Sequence, residues 1–131
     1  MKHRLSFADI NIISDEIAEV IGNQGIEITL EMTEESDKFL SAKFTNNFAL
    51  LINRVNQYTY AYEAQLSIAS LPHLKAIAVI VYDAQGKESI RSFKGSRFMD
   101  KLNIKEFSGL ELGRSSAIEW LNHELANAKV K

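Results

Sequence analysis

The 131-residue sequence contains no cysteine. That excludes a disulfide framework, a thiolate zinc site and a thiol nucleophile together. One proline and six glycines are too few for a collagen-like chain or a flexible linker, so a compact chain is expected from about residue 3 to about residue 127. Charge of one sign is lacking as well: 15 basic and 17 acidic residues leave a formal net charge of −2. There is no overall field to hold a polyanion, and a dedicated nucleic-acid binder is disfavoured. Long hydrophobic runs are missing. The longest, Phe48 to Ile52 and Ala76 to Tyr82, fall far short of the roughly 18 residues that span a bilayer, so no transmembrane segment is expected. The opening Met1-Lys2-His3-Arg4 is basic, but Asp9, Asp15 and Glu16 follow before an apolar stretch of signal-peptide length accumulates. A cytoplasmic location is the expectation.

What is present is an ordinary globular composition, 46% apolar and 24% charged, at a length that buries about two-thirds of the extended chain's surface in one domain, residues 1–131. The two apolar runs are continuous rather than alternating, the habit of parallel strands covered on both faces, and they are expected to be adjacent central strands. Leu5 to Phe7 and a segment within Ile12 to Ile21 read as an N-terminal antiparallel pair, with Gly22-Asn23-Gln24-Gly25 as the exit turn. Asn103 to Phe107 reads as a short last strand. Thr29 is a good cap for a helix over Leu30 to Phe44. A second helix is expected from about Thr59 to about Ser70, with Ala61, Ala64, Ile68 and Leu71 as its stripe and Pro72 as its stop. A third spans about Ala84 to Phe93. The fourth opens near Arg114, where Ser116 and Glu119 have capping-box spacing, and carries Ile118, Leu121 and Leu125. The order predicts an α/β fold: a mixed, mostly parallel five-stranded sheet, its two N-terminal strands antiparallel, with about four helices.

This order resembles the STAS, or SpoIIAA-like, fold of the anti-sigma-factor antagonists. More narrowly, Leu51-Ile-Asn-Arg-Val-Asn-Gln-Tyr-Thr-Tyr60, Glu63-Ala-Gln-Leu66 and Ala76-Ile-Ala-Val-Ile-Val-Tyr82 resemble the small bacterial STAS/Sec14-like proteins. The resemblance implies a mostly non-enzymatic module that binds partner proteins, nucleotides or lipids. It also implies that a Ser or Thr at the start of the helix after the third strand can accept a phosphate from a partner kinase, which by position is Thr59. The acidic residue and the glycine of the family's Asp-x-Ser-Gly context are absent here, which counts against a phospho-switch.

The loop after the first apolar run, Asn53 to Tyr60, lies where open α/β sheets place ligands. Asn53, Arg54, Asn56, Tyr58, Thr59 and Tyr60 offer amides, a fixed guanidinium and flat aromatic faces, suited to an anion or a partner. The bland alternative is turn-capping amides, a paired arginine and packed tyrosines. A secondary candidate is the basic face of Lys87, Arg91 and Lys94, which as a solvated helix face would do nothing more. Asp83 reads as an N-cap rather than a phospho-acceptor. Gly86-Lys87 lacks the rest of a phosphate loop, and His3, His73 and His123 are scattered, so neither a cofactor nor a metal is expected. No Gly-x-Ser-x-Gly elbow exists and no catalytic residue is assigned. Trp120 reads as a flank of the core. Tyr62, Leu66 and Ala69 make the second helix more apolar than one-sided packing needs, so a homodimer through it is expected. The function that follows is a non-enzymatic regulatory or protein-interaction module of STAS-like type, its partner a protein or small ligand not named by the sequence. The alternative is a pocket protein for a lipid-like or small amphipathic ligand, and a small hydrolase or transferase ranks last.

Overall fold

The computed structural model describes residues 2–97, 102–110 and 112–130. A mixed sheet of six strands runs in the order β1-β2-β3-β5-β7-β8. Its antiparallel part is β1 (Lys2–Arg4), β2 (Ala8–Ser14) and β3 (Ile17–Gly22). From β3 onward the pairing is parallel, through β5 (Phe48–Asn53) and β7 (Leu74–Val81) to β8 (Ile104–Ser108). The two continuous apolar runs are therefore adjacent, parallel and central, as their lack of alternation demands. The sixth strand arises at the N-terminus. Leu5 to Phe7 is not a strand but a connection that buries Leu5 and Phe7. The exposed Lys2–Arg4 takes the edge beside β2, whose alternation hides Ala8 and Ile10.

A second, two-stranded parallel ribbon joins β4 (Glu27–Ile28) to β6 (Thr59–Tyr60). It shortens the second helix. Thr59 or a near neighbour is the expected cap of that helix, yet Thr59 belongs to β6, and α2 spans only Tyr62–Ser67. Helix α1 (Leu30–Lys43) opens as expected, with Thr29 Oγ1 accepting the Met32 amide at 3.3 Å. Helix α3 (Ala84–Ser96) is capped by Asp83, whose Oδ1 accepts the Gly86 amide at 2.8 Å. Helix α4 (Gly113–Val130) begins at Gly113, so Ser116 lies inside the helix with its amide donated to the Leu112 carbonyl, and the anticipated capping box does not form. Among the described residues no helix is long and apolar enough to cross a membrane.

Strand alternation divides the interior into two layers. Leu50, Ile77, Val79 and Val81 face α1, α2 and α3, meeting Leu40, Phe44, Ala64 and Ile90. Ala49, Leu51, Ala76, Ala78 and Ile80 face α4, meeting Ala117, Leu121 and Leu125. Trp120 packs against this second layer, 6.0 Å from the Phe107 ring, a flank of the core as expected.

Candidate functional site

The segment Asn53 to Tyr60 leaves the carboxyl end of β5 and is laced to residues 22–28. The Asn56 side-chain amide donates to the Gly22 carbonyl at 2.9 Å, and the Gln57 amide donates to Gln24 Oε1 at 3.0 Å. Backbone bonds from Gly25 to Gln57, from Thr59 to Ile26 and from Ala61 to Ile28 close the lacing. Gly22 permits the closest contact, since a Cβ there would stand 2.7 Å from the Tyr58 ring. The loop is thus a preformed element, held by a stretch that reads in sequence only as a turn.

Asn53 and Arg54 do not converge. As neighbours in an extended chain they leave opposite faces of the sheet. Asn53 turns to the α4 side, where its Nδ2 donates to Glu19 Oε2 at 2.9 Å and its Oδ1 accepts from the Tyr82 hydroxyl at 2.8 Å. Glu19 is 3% exposed and also accepts from Asn11 at 3.2 Å and from Arg114 at 3.1 and 3.0 Å. Burial pushes its carboxyl pKa up, but the bonds from Arg114, Asn53 and Asn11 outweigh that and hold it below the usual carboxylate range. This network fastens the start of α4 to the sheet, with all its acceptors occupied.

Arg54 turns to the other face and is 5% exposed. Its Nη2 donates to the Tyr58 carbonyl at 2.6 Å, and its guanidinium carbon lies 4.1 Å from the centre of the Tyr58 ring and 6.0 Å from that of Tyr60. The two rings meet edge to face at 5.8 Å. Arg54 Nε and Nη1 are buried without a hydrogen-bond partner. Among the described residues no carboxylate lies within ion-pair distance of this guanidinium. Stacking on tyrosine returns part of the solvation that a buried cation loses, and the guanidinium also favours the charged form of both phenols, yet by geometry Nε and Nη1 remain without a bond. Burial drives the Tyr58 hydroxyl well above its ordinary pKa, with Tyr60 adding to the effect, and burial raises Tyr60 against the opposing pull of Arg54. Both phenols therefore remain protonated donors throughout the physiological range.

Arg54 borders a cavity of about 50 Å³ between the sheet and α3. Leu50, Ile52, Ile77 and Val79 form its floor and Ile90 and Phe93 its roof. Tyr60, Ile68 and Ala69 close one side, Ile104 another, and the Ser89 hydroxyl is the remaining polar group on the wall. A second cavity of about 40 Å³ shares Leu50, Ile52, Tyr60, Ile68 and Ala69 and continues toward Tyr58, Leu40 and Asp37. Both lie in the apolar layer between the sheet and its helices, with Arg54 on the wall of the first.

The remaining candidates separate from this centre. Asn56 is a loop clamp. Thr59 is exposed in β6, three residues ahead of α2, so it lacks the helix-start position on which its comparison with a phospho-acceptor depended. Lys87, Arg91 and Lys94 are exposed, away from the cavity-lining face of α3, and Arg91 pairs with Glu88 at 2.8 Å. Among the described residues no cluster of side chains suits a metal ion. Sequence reasoning did not find Ser89, Ile90 and Phe93 as cavity walls, although their i, i+1, i+4 spacing opposite the charged face of that helix carries the signal. In comparisons with known proteins the chain matches no family model, no curated protein and no solved structure.

Proposed function

We propose that this chain is a non-catalytic binding module that takes a small anionic ligand against Arg54. The observation that carries this reading is the guanidinium itself: buried, unpaired and bordering an apolar cavity, on a loop laced in advance. A buried guanidinium with unspent donors costs several kcal/mol unless something completes it. A ligand anion would complete it. The pocket alternative is thus favoured over a purely protein-binding role. The STAS-like kinship belongs to the same proposal, supported by the leading antiparallel strands and the strand–helix units that follow, as does a cytoplasmic setting.

The test is Arg54→Met. A residue waiting for a ligand is poorly compensated in the free protein. The variant is therefore expected to unfold in urea within about 1 kcal/mol of the wild type, while protein from the native source loses a small-molecule adduct in native mass spectrometry. If the variant instead loses about 3 to 5 kcal/mol and the wild type carries no adduct, Arg54 is a structural clip and the reading fails.

Self-association is a second proposal, favoured by the exposure of Tyr62 (66%) and Leu66 (45%) on α2. A symmetric pairing through this helix would cover both.

A further inference from the structure

The cavity's chemistry narrows the ligand further. Its walls are mostly aliphatic side chains with the Phe93 ring, and the residues on them that carry polar groups are few: Arg54, Ser89 and Tyr60. One fixed positive charge balances one negative charge. A phosphate monoester carries nearly two charges and three acceptor oxygens, and ordinarily takes several cations or a row of backbone amides. The helix start just after β7 offers no such row, because Asp83 already takes the Gly86 amide and would repel an anion. At the far side of the layer stands Asp37, which lines the second cavity. An anionic headgroup is therefore directed to the Arg54 end and an uncharged tail away from it.

The length of the floor bounds the tail. Leu50 on β5 and Arg54, the residue just past its end, are four residues apart, and Leu50 stands in register with Ile77, which pairs with Ile104. At about 3.3 Å per residue that floor is roughly 13 Å long, the reach of about ten carbons. The open space of about 50 Å³ holds a carboxylate and a few methylenes, since a water-sized site needs about 10 to 15 Å³. To place the rest in the second cavity, the tail would have to pass between the shared wall residues Tyr60 and Ile68.

Resting on the anion-binding reading above, we propose that the ligand is a monocarboxylate with an unbranched aliphatic chain of about six to ten carbons, its carboxylate on Arg54 Nε and Nη1 and its chain along β5 and β7 beneath α3. The headgroup completes the unspent donors, and the chain fills space that water would occupy without partners.

The experiment titrates octanoate, octyl phosphate, octanol and acetate into the wild type, Arg54→Met and Ser89→Leu by calorimetry, with circular dichroism confirming each fold. Octanoate should bind one per chain and at least tenfold more tightly than octanol, and acetate should not saturate. Arg54→Met should lose at least tenfold for octanoate and leave octanol unchanged, while Ser89→Leu, which intrudes on the cavity, should weaken both. Octyl phosphate binding more tightly than octanoate would overturn the carboxylate assignment and leave the anion reading standing. Equal binding of octanol and octanoate, unmoved by Arg54→Met, would overturn both. Binding of none of the four to the wild type would overturn the carboxylate assignment, with the adduct measurement above still deciding the anion reading.

Discussion

Asp37 shows how one side chain on the apolar layer leaves a measurable signature. Burial, with Glu34 adding its like charge, pushes its carboxyl pKa up to about 6 from an ordinary value of 3.8. Between about pH 4 and pH 6 the folded chain holds a proton that the unfolded chain has released. Stability therefore falls as pH rises through that window, and the deficit is complete above about 6. Asp37→Asn removes the charge with little change of shape. It is expected to stabilise the protein by about 1 to 3 kcal/mol at pH 7.5 and to leave it nearly unchanged at pH 3.5, measured by urea unfolding. An equal effect at both pH values would show that this carboxyl is not desolvated. At this scale the sequence was partly legible. Arg54 stood out as a cation beside a buried strand, but grouping it with Asn53 in one candidate site ran against the two-residue period of the chain, which sends neighbours to opposite faces. The partnership of Glu19 with Arg114, 95 residues apart, has no local signal at all. Only the fold brings them together.

Among the elements, β5 and β7 were the most legible because continuous apolarity at strand length has few other readings. The least legible was α2. Its stripe of Ala61, Ala64 and Ile68 suggests a helix reaching Ser70, but pairing of Thr59 and Tyr60 with β4 removes the first turn. At the other end Ile68 leaves the helix with extended backbone, ψ 151°, and Ala69 follows at φ 66°, a left-handed conformation that costs an alanine about 1 kcal/mol, so the chain turns away before Pro72. What holds so short a helix is Arg97, just past the end of α3. Its Nη1 donates to the carbonyls of Gln65, at 2.9 Å, and Ile68, and its Nη2 donates to Ser70 Oγ at 3.2 Å. These take up carbonyls that a helix end leaves unsatisfied. Hydrogen bonds to a charged donor are worth about 1.5 to 3 kcal/mol. Arg97→Met should therefore speed amide hydrogen exchange over residues 62–69 by about tenfold to a hundredfold, leaving β5 and β7 amides at their former rates. Uniform acceleration across the sheet would mean that α2 opens only with global unfolding and that Arg97 does not hold it as a separate unit.

The whole molecule is an unequal sandwich, and the inequality bears on association. On one face α4 alone covers the strands, and Ala49, Ala76 and Ala78 let it approach closely to Ala117 and Leu121. On the other face three helices share the work, and the shortest, α2, leaves Tyr62 and Leu66 in solvent while burying Ala64 and lining the cavity through the segment that follows it. The helices of the covered face could be counted from sequence, but the division of labour between them could not, because it depends on the β4–β6 ribbon, whose two-residue strands are too short to leave a period. Two exposed apolar residues one turn apart on a short helix form a narrow stripe, which a second copy could match about a two-fold axis with its own Tyr62 and Leu66. Sedimentation at high micromolar concentration is therefore expected to give a dimer, and Leu66→Glu, which sets like charges against each other across the axis, a monomer with an unchanged melting temperature when diluted. A wild type that sediments as a monomer at that concentration removes the pairing and leaves Tyr62 and Leu66 as isolated surface residues, which need no partner.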